Sequence, residues 1–177
     1  MTQSPLIHAE GHVLAALDAS AYGPSVADHA AWAASRLGAP LDLFHVIDRK
    51  HGAAGATDLS GSLSLGDQDA LLEELATLDE RRGKLAQEQG RLMLQREGGR
   101  IAAVFGVQAQ ARQRHGTLVD ALLELEPGVR LFVIGKRGEH ADFASGHLGS
   151  NLERVVRAVH RPVLIASRAF RPVQRFL

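Results

Sequence analysis

The stretch VRLFVIGKRG, residues 129–138, carries the reading of the fold. Its first six residues are apolar apart from Arg130. A short, nearly continuous apolar run suits a strand covered on both faces, as in a parallel sheet. The run passes directly into Gly135, Lys136, Arg137 and Gly138, and ten residues later Gly149, Ser150 and Asn151 open a second segment. That segment, NLERVVRAV at residues 151–159, has Leu152, Val155, Val156 and Val159 on one helical face. Glycines let backbone amides approach an anion with no Cβ in the way. The free amides and dipole of a helix start favour phosphate. Ser150 can donate a hydroxyl hydrogen bond, and Lys136 and Arg137 add positive charge. On these residues alone, an anion site and a plain set of turns with a helix cap stand level. The chain has neither the G-x-x-x-x-G-K-[ST] phosphate loop nor a G-x-G-x-x-G loop after its first strand.

Working outward, GTLVDALLEL at residues 116–125 reads as a helix with Thr117 as N-cap, stopped by Pro127 and Gly128. Beyond the closing helix, PVLIA from Pro162 through Ala166 is a fifth strand, followed by a tail at 168–177 with three arginines. Towards the N-terminus, HVLAAL at 12–17 is a buried strand between Gly11 and Asp18. Pro24 suits a first helical turn, residues 25–37 carry helical apolar spacing, and Gly38 ends that helix. LDLFHVI at 41–47 is the second strand.

The remaining middle is less regular. Residues 49–66 are rich in Gly, Ala and Ser and are expected to form a mobile loop, as are the first ten residues. Residues 67–95 form a long helical pattern with Leu71, Leu75, Leu78, Leu85 and Leu92 near one stripe, interrupted by Arg82 and Gln89. Those leucines suit core or dimer packing. The alternation of Ile101, Ala103 and Phe105 places a third strand within residues 100–110.

Strand and helix alternate throughout, so the expected fold is α/β: an open, five-stranded, mostly parallel sheet with helices on both faces, Rossmann-like, in a single domain over 1–177. In such folds ligands sit at the carboxyl ends of the strands where strand order reverses. Asp18, ending the first strand, then lies across the crevice from Gly135. Its carboxylate can accept from a ribose hydroxyl or hold a metal that bridges phosphates.

Composition narrows the class. The 177 residues carry 20 basic and 20 acidic side chains, so no broad positive field exists to attract nucleic acid or an anionic membrane. There is no cysteine, which excludes disulfides, thiolate metal sites and a cysteine nucleophile. No signal-peptide pattern opens the chain and no apolar run approaches a membrane span, so a cytoplasmic protein is expected.

VLAALDAS, LFHVID, VIGKRG and GHLGSNLERVVRAVHRPVLIAS together resemble the universal stress proteins, at both ends of the domain and only in general layout between residues 49 and 99. The resemblance implies strand order 3-2-1-4-5, ATP binding, and a homodimer, often through the last strand; magnesium held at Asp18 is the expected companion of the ATP. Carried over by motif, the nucleotide-side positions are Asp18, Val46, Ile134, Gly135, Lys136, Arg137, Gly138, Gly149, Ser150 and Asn151. The family's phosphate motif has nine residues between its second and third glycines; here Gly138 and Gly149 enclose ten. Two other readings follow: a dimeric stress interaction protein that uses no nucleotide, and a slow ATPase or autophosphorylating protein.

Nine histidines are present, but their spacing matches no metal-ligand pattern. His45 is expected to pack in the second strand with its ring hydrogen-bonded, while His140 and His147 flank the loop before Gly149. No nucleophile–base pair is legible among Ser20, Ser145 and Ser150, so no catalytic residue is assigned.

Overall fold

A computed structural model describes residues 8–48, 65–138 and 150–174. In chain order the elements are β1 (His12–Ala16), α1 (Gly23–Leu37), β2 (Leu41–Ile47), α2 (Leu65–Phe105), β3 (Ala109–His115), α3 (Leu118–Leu125), a 3-10 turn (Glu126–Gly128), β4 (Val129–Gly135), α4 (Ser150–Ala158) and β5 (Val163–Ala166). The five strands form one sheet in the order β3-β2-β1-β4-β5, and every pairing is parallel. The expected strand order is therefore the observed one.

Two apolar clusters sandwich the sheet, because its central strands bury side chains on both faces. On one face α1 and α2 bring Val26, Ala30, Leu94 and Ile101 against Val13, Leu43 and Val133. On the other, α3 and α4 bring Leu122, Leu152 and Val155 against Leu14, Phe44 and Phe132. Alanine at 27, 30, 31 and 34 lets α1 lie close to the strands, and all four are buried. Pro24 occupies the first turn of α1, and Gly38 ends it in the left-handed region at φ 60°. Thr117 caps α3 by accepting from the Asp120 amide.

One expectation fails. Residues 100–105 belong to α2, and the third strand lies at Ala109–His115. Ile101 is buried as the next helical step after Leu94 and Glu97, not as a strand position. The long helix is correspondingly longer than 67–95. The leucines of the expected stripe are not core: Leu71 is half-buried, and Leu75, Leu78, Leu85 and Leu92 are exposed. The mobile-loop reading of 49–66 lies outside the described residues, save that α2 begins at Leu65. The expectation for the first ten residues falls outside them as far as residue 7. The tail folds back as far as Phe170, whose ring meets His29 and Phe105 edge-on at 4.9 and 5.6 Å.

Candidate functional site

The strand order reverses between β1 and β4, since β2 and β3 extend one way from β1 and β4 and β5 the other. Their carboxyl ends are in register, with Ala16 beside Ile134. Asp18 follows β1 and Gly135 closes β4, so these two chain segments flank the switch point at which such sheets hold ligands.

The loop after β1 is held by its own polar groups. The Asp18 carboxylate accepts from the Ser20 amide at 3.1 Å, and the Ser20 hydroxyl accepts from the Tyr22 amide at 3.2 Å. The Gly23 amide donates to the Ser20 carbonyl, and α1 starts there. These turns fix the direction of the Asp18 side chain. Across the crevice, a Cβ built on Gly138 would stand 3.0 Å from Asp18 Oδ2. A side chain at 138 would press on the Asp18 carboxylate and displace it by a few tenths of an ångström, so the Gly138 backbone lies close beside that carboxylate. The Lys136 amide is spoken for by the Ala166 carbonyl at 3.0 Å, which ties the glycine segment to β5.

The other sequence-predicted positions spread around this pair. Ile134 is buried in the α3–α4 cluster, and Val46 is half-buried and packs against it. Lys136 is exposed, Arg137 half-buried, and Asn151 exposed in the first turn of α4. Gly149 lies outside the described residues, as do His140, Ser145 and His147; Ser150 is the first residue of α4. Asp18 and Gly138 are thus brought together, with Ile134 to Arg137 leading into them, while the loop from 139 to 149 is not described. Among the described residues no group of three or more His, Asp or Glu side chains is arranged to hold a metal ion. A magnesium ion would therefore take Asp18 and otherwise phosphate and water oxygens, which suits an ion that keeps much of its hydration.

Sequence reading missed what lies behind Asp18. A cavity of about 30 Å³ is lined by Asp18, Ser20 and Pro24 on one side and by Met93, Arg96 and Glu97 of α2 on the other. It has room for about one or two waters. Glu97 is only 2% exposed. It is paired with Arg96 at 3.1 Å and with Arg100 at 2.8 Å. Arg100 also reaches Asp28 of α1 at 2.7 Å and the Pro24 carbonyl at 2.9 Å. Burial by itself would lower the Arg100 pKa, but the Glu97 and Asp28 carboxylates outweigh it and raise it. The Arg100 guanidinium thereby staples α2 to the end of the Asp18 loop. A second tie runs through His45, whose Nδ1 hydrogen-bonds the Leu17 carbonyl at 2.9 Å, as expected of a packed strand histidine. Opposite its ring, Gly90 of α2 leaves no space: a Cβ there would stand 2.5 Å from His45 Cδ2. The sign that could have revealed these contacts is the i, i+3 pair Glu97–Arg100 within an otherwise apolar helical stripe.

The doubly wound parallel sheet, with an acidic side chain facing a glycine segment at its switch point, is an α/β Rossmann-like scaffold. Comparison with known proteins takes this further. The sequence pattern of the Universal stress protein family matches residues 11–167, and the chain belongs to that family. It is 32% identical over 167 residues to the universal stress protein Slr1230 of Synechocystis, covering 94% of this chain but 58% of that protein, so the chain spans little more than half the length of its curated relative. Among solved structures, the universal stress protein UspA from Lactobacillus plantarum superposes with a TM-score of 0.61 at 21% identity, covering 88% of this chain and 97% of that one. A universal stress protein in complex with cAMP superposes at 0.59 and 20% identity, covering 92% and 100%. These structural likenesses concern the fold.

Proposed function

We propose that this chain binds ATP, with magnesium, in the crevice between the ends of β1 and β4, and works as a nucleotide-dependent regulatory module of the cytoplasmic stress response. The observation that carries the reading is the close approach of Gly138 to the Asp18 carboxylate at the point where strand order reverses. In this reading Asp18 receives a ribose hydroxyl or a hydrated magnesium ion. Val46 and Ile134 supply the apolar side for the base. Gly135, Lys136, Arg137, Gly138, Gly149, Ser150 and Asn151 surround the phosphates. A relative of the same fold whose structure is described in complex with cAMP supports an adenine nucleotide as the ligand class. Occupancy regulates only if ATP has different affinities for two states of the protein.

A homodimer through β5 is part of this proposal. β5 is a sheet edge of four residues with Ile165 44% exposed, whereas the opposite edge, β3, carries Arg112 and Arg114. Charged edges resist pairing and apolar ones invite it.

Isothermal titration with ATP and magnesium tests the site. Wild type is expected to bind, and Gly138→Val combined with Ser150→Ala to lose binding. Equal binding by both proteins overturns the assigned residues; a wild type that takes up no ATP and carries none from the cell overturns the reading and favours the interaction protein. That rival draws on the ten-residue spacing between Gly138 and Gly149.

A further inference from the structure

α2 is two helices in function. Its C-terminal part is seated on the sheet, with Gly90, Leu94, Glu97 and Ile101 buried at helical spacing. From residue 71 to 89 no residue is buried. At 1.5 Å per residue this is about 28 Å of helix with no side chain enclosed by the rest of the described chain. Yet it is not a solvent helix. Leu78, Leu85 and Leu92 recur every seven residues from Leu71, with Leu75 filling one of the intervening seam positions. That repeat is the heptad of a paired helix. The seam lies about a third of a turn round the helix from the stripe buried on the sheet, given about 100° per residue. Leu78 is 41% exposed and Leu85 63% exposed. Together the seam leucines present on the order of 400 Å² of apolar surface, comparable to the largest apolar patch of an ordinary lone chain. Two such faces with their flanks reach the roughly 1,000 Å² of a specific contact.

The charges say what would cover it. Residues 71–80 hold Glu73, Glu74, Asp79 and Glu80 and no Lys or Arg. Residues 81–96 hold Arg81, Arg82, Lys84, Arg91 and Arg96 against a single acid, Glu88. The sign changes between Glu80 and Arg81, in the middle of the seam, where Asp79–Arg82 and Glu80–Lys84 pairs hold the side chains. Such a helix is the electrostatic complement of its own reversal. Paired parallel with itself it sets acid on acid; paired antiparallel it sets each acidic half on a basic half.

We propose that this arm is a self-association surface, and that its occupant is the same arm of a second copy of this chain, packed antiparallel about Glu80 with Leu75 of one copy against Leu85 of the other. A two-fold axis at that point closes the pair. This contact is separate from the β5 edge and does not depend on nucleotide.

The test uses the full chain in light scattering at tens of micromolar. The arm variant Leu78→Glu with Leu85→Glu is expected to halve the mass of the wild-type assembly while keeping the helical far-ultraviolet spectrum. Unchanged mass overturns the proposal, as does a monomeric wild type. Ile165→Arg separates the two interfaces: if it alone reduces the assembly to monomers while the arm variant has no effect, β5 is the interface and the arm is not. Because the chain has no cysteine, introduced thiols report the direction. A mixture of Leu75→Cys and Leu85→Cys chains is expected to form a mixed disulfide. A disulfide formed by Leu75→Cys with itself, or none in the mixture, overturns the antiparallel pairing.

Discussion

Replacing Arg100 by Met removes the guanidinium that joins α2 to the Asp18 loop and keeps most of the apolar stem. Three charge-assisted bonds are lost: to Glu97 at 2.8 Å, to Asp28 at 2.7 Å and to the Pro24 carbonyl at 2.9 Å. The larger cost falls on Glu97, whose side chain is 3% exposed and is left with Arg96, itself 70% exposed. Breaking a fully buried pair costs about 3–5 kcal/mol because a charge is stranded. Here Arg100 is 33% exposed and Arg96 remains, so water and the second arginine recover part of that. The expected loss is about 2–3 kcal/mol, or a fall of roughly 5–10 °C in Tm for a chain of this size. Removing the stranded charge should restore stability, so Arg100→Met with Glu97→Leu is expected to be less destabilised than the two single losses added, by about 1–2 kcal/mol. Urea unfolding of the four proteins closes this cycle. A single-variant loss below about 0.5 kcal/mol, the scale of a surface pair, would refute the staple. Strict additivity would refute the stranding argument.

Three further outcomes are expected. Gly99→Ala, in the same packed part of α2 with nothing within 4 Å of the new Cβ, should stabilise by about 0.5–1 kcal/mol. Gly90→Ala drives its methyl onto the His45 ring and should destabilise by about 1–2 kcal/mol net; thermal melts that move the two variants in the same direction contradict the close packing. Glu126→Ala frees the His160 and Arg161 amides that its carboxylate receives between α4 and β5, at a cost of about 1–2 kcal/mol, read as faster amide exchange at those two positions. Hydrogen bonds and charge from Lys84 hold the Glu80 pKa below its ordinary 4.5, and the Arg91 hydrogen bond does the same for Glu88. A depressed carboxylate stabilises the folded form above its ordinary pKa and loses that effect as pH falls through the lowered one. The helical signal should therefore decline as pH falls below the ordinary 4.5, and less so in Glu80→Gln with Glu88→Gln; superimposable titrations would speak against it.

The central strands were legible because buried parallel strands read as apolar runs, and β1, β2 and β4 do so. β3 was not. AQARQRH is an edge strand with most side chains half-exposed or exposed, and neither alternation nor β-branched residues mark it. Three alternating apolar residues at 101, 103 and 105 imitated a strand, although Ile101 continues the stripe of Leu94 and Glu97. The helix runs on through Gly98 and Gly99, carried by tertiary packing on the sheet. At the site, Asp18 and the glycine segment could be named because strand ends and loop chemistry are local. The contribution of Met93, Arg96, Glu97 and Arg100 could not, since it depends on where α2 crosses α1, a distance in sequence of more than seventy residues.

The continuity of α2 has a mechanical side. The stretch that borders the cavity behind Asp18 and the stretch that bears the leucine seam are one unbroken helix. From Glu97 to Leu71 the rod is about 40 Å long. A helix pivoting by about 5° where it meets the Asp18 loop would sweep its far end by about 3 Å, more than half a helical turn of rise. α2 is thus a lever whose short side borders the cavity behind Asp18 and whose long side bears the leucine seam.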